Sequence, residues 1–152
     1  MIIDINRIKQ TISSLDSGEF QVFCEQYLSL DGYKFVSSKG GIAGTNITKL
    51  GTPDHICITD TGHYIFVEDT TQKGKGIKRK IIGDLEKCVI TPKHSLPIDA
   101  IEKVVYCYNQ ELNDESIIEK CKEICHSKNI EFEFLSLEYF ANSLFNRPVR
   151  FG

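Results

Sequence analysis

Asp54 and Glu68 are the residues whose types and spacing point most directly to chemistry. Asp54 follows Pro53 and opens the apolar run DHICI; Glu68 closes the run YIFVE, and Asp69, Thr70, Thr71 and Gln72 come directly after it. Extended strands alternate faces, so Glu68, Thr70 and Gln72 share one side while Asp69 and Thr71 point to the other. If the two runs pair, Asp54 lies across from Glu68. Two carboxylates converging at strand ends beside a backbone carbonyl, here that of Asp69, are hard oxygen donors suited to Mg²⁺ or Mn²⁺. A divalent ion in such a place activates water and offsets charge on a phosphodiester during in-line attack. The same residue types also serve as plain turn and strand-end groups, so the elements around them must decide.

Those elements are legible. Ile5, Ile8, Ile12 and Leu15 recur at helical spacing, and after the break DSG the positions Phe20, Phe23, Cys24, Tyr27 and Leu28 form a second stripe. Asp16 with Glu19 three residues on reads as a capping box. GYKFV, residues 32–36, reads as a first short strand. From Ser37 to Pro53 glycine and small polar residues dominate, which predicts a long loop. DHICI and YIFVE are joined by Thr59-Asp60-Thr61-Gly62-His63, whose Asp and Gly supply hairpin turn chemistry. Ile77, Ile81, Ile82, Leu85, Cys88 and Val89 predict an amphipathic helix that Pro92 stops. AIEKVVYCY (100–108) predicts a buried strand, Ile117 to Ile124 a helix, IEFEFL a strand, and LEYFANSLF a last helix before Pro148. The order ααβββαβαβα predicts an early antiparallel hairpin followed by crossovers that set later strands parallel in a mixed sheet covered by helices.

Composition narrows the class. The 152 residues, 41% apolar and 26% charged, fit a single domain able to bury its own core. The sequence holds no signal-peptide h-region and no run of about 18 apolar residues, which gives a cytoplasmic expectation. The six cysteines sit inside apolar runs, as buried reduced thiols do, and Cys121, Cys125 and His126 lack a second ligand pair for zinc. Neither glycine-rich stretch has the arrangement of a phosphate-binding loop, and no dinucleotide fingerprint follows the first strand. Net charge is -3, yet Lys73, Lys75, Lys78, Arg79 and Lys80 cluster just after the polar strand end, with Lys39 in the glycine-rich loop. Such a stretch is either a solvated basic turn or a surface for a phosphate backbone.

Taken together, the element order and the polar residues resemble the PD-(D/E)xK nuclease superfamily, the restriction-endonuclease-like fold, over nearly the whole chain. The matching residues are Pro53 and Asp54 in TPD, Glu68 in EDT, and Glu25 in FCEQYL on the early helix; GYKFV before the glycine-rich loop resembles the segment that precedes PD in the restriction-enzyme branch. The resemblance implies an α/β fold with an αβββαβ core and an additional αβα. It implies Mg²⁺ or Mn²⁺ held by Asp54, Glu68, the Asp69 carbonyl and Glu25, and DNA as partner along Lys39, Lys73, Lys75, Lys78, Arg79 and Lys80. Thr70 stands where the family carries its catalytic lysine. A neutral hydroxyl cannot supply that charge, and the substitutes within reach are Gln72 on the same strand face and a lysine of the next helix, Lys80 or Lys87. Two functions follow as expectations: a metal-dependent DNA endonuclease of prokaryotic defence or restriction, or a nuclease-like module without catalysis that binds nucleic acid or protein. The resemblance further implies a longer native chain with a sensor or NTPase module, and a homodimer pairing two sites.

Overall fold

The computed structural model describes residues 4–37 and 53–147. Most of the glycine-rich stretch, Lys39 and Pro148 lie outside the described residues. Five strands form one sheet in the order β1-β2-β3-β4-β5, with β1 at Lys34–Ser37, β2 at His55–Ile58, β3 at Tyr64–Thr70, β4 at Ile101–Tyr108 and β5 at Glu131–Leu135. The helices are α1 (Ile5–Ser13), α2 (Ser17–Leu30), α3 (Ile77–Val89), α4 (Glu115–His126) and α5 (Leu137–Phe145), and a short 3-10 turn at Ile98–Ala100 leads into β4. The predicted order of elements holds throughout, with that turn as the one addition.

Local chemistry explains the boundaries. Asp4 and Asp114 cap α1 and α4, and Asp16 with Glu19 closes the predicted capping box at the start of α2. In the β2–β3 hairpin, Gly62 takes φ 81, a left-handed conformation that costs glycine little, and the Thr59 amide donates to the His63 carbonyl. β1–β2 and β2–β3 are antiparallel, whereas β3–β4 and β4–β5 are parallel, as crossover helices require. The sheet is therefore mixed, and β3 is the strand at which its two halves meet.

Alternation along the strands builds two cores. Ile56, Phe66, Val104 and Tyr106 pack with Ile81, Leu85, Cys88 and Cys125 beneath α3 and α4. On the other face Cys57, Val67, Val105 and Cys107 pack with Phe20, Cys24, Tyr27 and Phe140 beneath α1, α2 and α5. All six cysteines are buried free thiols. Asn109, fully buried after β4, donates its side-chain amide to the carbonyls of Ile12 and Leu15. These two bonds tie the end of β4 to the corner between α1 and α2.

Candidate functional site

Pairing of His55 with Val67 sets the register of the hairpin, so Asp54 falls next to Glu68. The two carboxyl groups are within hydrogen-bond reach, and the Asp54 Oδ2 also accepts the Asp69 amide at 3.0 Å. Glu68 follows Phe66 on the α3 face and is 3% exposed. Its other close neighbour is the Cys88 Sγ at 3.5 Å. Burial, the negative charge of Asp54 and that of Asp84 together raise the Glu68 pKa well above the usual carboxylate range.

A cleft of about 380 Å³ opens over this pair. Its walls bring Asp54, Glu68, Asp69, Thr70 and Gln72 together with Lys80, Asp84 and Lys87 from α3 and with Ser17 and Gln21 from α2. The carboxylates of Asp54, Glu68 and Asp84 therefore share the cleft with the ammonium groups of Lys80 and Lys87. Asp84, which the sequence reading passed over, accepts the Tyr106 hydroxyl at 2.7 Å and pairs with Lys80 at 3.2 Å, four residues earlier on the same helix. That i, i+4 acid and base spacing is the signal that was available in the sequence.

Asp69 points to the opposite face, as alternation predicts, and meets His55 there. The His55 Nε2 lies 2.6 Å from Asp69 Oδ2, and its Nδ1 lies 3.3 Å from Glu25 Oε1. Burial alone pulls the His55 pKa down, but the Asp69 hydrogen bond and the charges of Asp69 and Glu25 outweigh it, and the net shift is upward. Glu25 is accordingly engaged with His55 on the α2 side, not gathered with Asp54 and Glu68. His55 carried a readable signal: in DHICI it shares a strand face with Cys57, the side on which Asp69 falls across the hairpin.

The Thr70 side chain and the Gln72 backbone are both held by hydrogen bonds. The Thr70 hydroxyl accepts the Gln72 amide at 3.1 Å, and the Gln72 carbonyl accepts the Tyr108 hydroxyl at 2.8 Å. Of the basic stretch, Lys78 pairs with Asp114 and Lys80 with Asp84, while Lys73, Lys75 and Arg79 are exposed at the start of α3 and in the turn before it.

No family model matches the chain, and no curated protein is recognisably similar to it in sequence. The site is therefore read from its own chemistry. Among the described residues no group of three or more His, Cys, Asp or Glu side chains is placed to hold a metal ion. Asp54 and Glu68 nevertheless fit a small hard cation: both are oxygen donors, and a divalent charge between them offsets the repulsion between the two carboxyl groups. Mg²⁺ commonly takes one or two protein carboxylates and keeps water elsewhere. Among the described residues no helix is long and apolar enough to cross a membrane.

The raised Glu68 pKa has a measurable cost to the fold. A carboxyl that binds its proton more tightly in the folded chain loses stability as pH rises from its unfolded value, about 4.3, to its folded one, and the penalty stays in full above that. Glu68→Gln should therefore gain about 1–2 kcal/mol at neutral pH and flatten the profile across that window. Urea unfolding at a series of pH values measures both; an unchanged or lower stability at neutral pH removes the argument.

Proposed function

We propose that the chain is a metal-dependent DNA endonuclease that hydrolyses phosphodiester bonds. The observation that carries this reading is the Asp54 and Glu68 carboxyl pair at adjoining strand ends, Glu68 buried against α3, with the Lys80 ammonium in the same cleft. In this reading Asp54, Glu68 and the Asp69 carbonyl hold Mg²⁺ or Mn²⁺, which when bound supplies positive charge to the phosphate and acidity to water. The hairpin fixes Asp54 through the Asp69 amide, so one donor is held in place before any ligand arrives. Lys80, anchored by Asp84, offers the positive charge that Thr70 lacks. Lys73, Lys75 and Arg79 at the start of α3 meet the DNA backbone, a contact that weakens as salt rises. A restriction or antiviral role, with a sensor or NTPase module alongside, is the setting that the likeness to restriction enzymes suggests.

The test is direct. Purified protein with Mg²⁺ or Mn²⁺ is expected to cut plasmid, linear or single-stranded DNA, chelator is expected to stop it, and Asp54→Ala is expected to abolish it. Absence of cutting on all three substrates, or an Asp54→Ala variant as active as the parent, sinks the proposal. The pairing of Lys80 with Asp84 favours a second reading, a nuclease-like module without catalysis. It predicts salt-sensitive DNA binding with no heat of Mg²⁺ or Mn²⁺ binding in calorimetry.

A further inference from the structure

α2 carries apolar side chains on two faces. Phe20, Cys24, Tyr27 and Leu28 are buried in the core, whereas Val22 is 52% and Leu30 71% exposed on the outside. A helix that is apolar on both sides needs cover on both. Val22 stands at the edge of a groove of about 490 Å³ between α1 and α2, walled by Ile8, Leu15 and Phe23 and closed by Leu144 of α5. The groove exists because α1 packs chiefly on α5 and α2 on β3 and β1, so the two helices part from the corner at Ser14–Asp16.

The rim of this groove bears one charge of each sign. Arg7 lies in the first turn of α1, about 12 Å of helix from the corner, and forms no ion pair among the described residues. Glu19 lies beside the corner, in the first turn of α2. A neutral patch with opposite charges at its two ends and a knob next to a hole is complementary to itself under a two-fold rotation.

We propose that this groove is the interface between two copies of the chain. Val22 of each copy enters the groove of the other, and Arg7 meets Glu19 of the partner subunit. The interface does not depend on the nuclease reading. It stands one helix edge away from the acidic cleft, since α2 lends Ser17 and Gln21 to the cleft and Val22 and Phe23 to the groove.

Sedimentation equilibrium of the full chain tests the proposal. The parent is expected at twice the 17.2 kDa chain mass. Val22→Glu, at an exposed position, is expected to melt at the parental temperature and sediment at the single-chain mass. Arg7→Glu is expected to weaken the dimer about tenfold, less so at high salt. A parent that stays at the single-chain mass at the highest soluble concentration overturns the proposal, and so does a dimer that both substitutions leave intact.

Discussion

Asp69→Ala should lower the unfolding free energy by about 3–5 kcal/mol, the usual cost of removing one partner from a buried ion pair. The His55 side chain is 2% exposed and that of Asp69 4%, so alanine leaves the imidazole with Glu25 alone, at the longer distance of 3.3 Å. A domain of ordinary stability has about 5–15 kcal/mol in all, which makes the loss visible as a large drop in the urea midpoint. The effect depends on pH with a defined sign. Because the folded His55 pKa is raised, its contribution is fully present below the unfolded value of about 6.5 and disappears as pH rises through the folded one. Asp69→Ala should move that fall to lower pH. Replacing both His55 and Asp69 with leucine should recover most of the loss, because breaking the pair costs more than removing it. A change under about 1 kcal/mol for Asp69→Ala, the size of an average substitution, would falsify the account of a buried pair.

On the proposed nuclease reading, Lys80→Met should slow DNA cutting by about 10²–10³-fold, the range seen when one charge-stabilising donor is lost, while DNA affinity stays near the parental value. In the proposed nuclease reading, Lys80 is the group assigned to supply the charge that Thr70 lacks. Thr70 is committed to the Gln72 amide, and the bond from Tyr108 holds the Gln72 backbone. Lys80 has the reach and the charge, and its ammonium acts on Asp69 as well as on Asp84. Lys73→Ala should do the reverse, weakening binding and reducing its salt slope by about one with little effect on the bound rate. Single-turnover cutting with saturating enzyme separates these effects. If Lys80→Met cuts at the parental rate while Gln72→Ala does not, the charge role passes to Gln72 and the ammonium is structural.

Much of the fold was legible because local rules agreed with one another. The capping box at Asp16, the turn at Gly62, and the 3.6-residue and two-residue periods each named an element that the tertiary structure keeps. Strand alternation likewise places Glu68 and Asp69 on opposite faces from the sequence alone. What stayed hidden are contacts across layers. That Glu25 engages His55, that Asn109 holds the end of α1, and that Tyr106 reaches Asp84 depend on how helices lie on the sheet, and no period in the sequence encodes that placement. The cleft was half legible for the same reason: its hairpin residues and the α3 lysines Lys80 and Lys87 follow from order in the chain, whereas Ser17, Gln21 and Asp84 join it through the packing of helices on the sheet.

The strands lie across the sheet in the order in which they occur in the chain. During synthesis each new strand can therefore add to the exposed edge of the one before it, and none has to be inserted between strands already paired. Contacts between neighbours in sequence also keep loop closure short, which favours rapid folding. Every residue assigned to the acidic cleft precedes residue 88, so the growing chain already contains the whole cleft lining before β4 emerges to pair with β3.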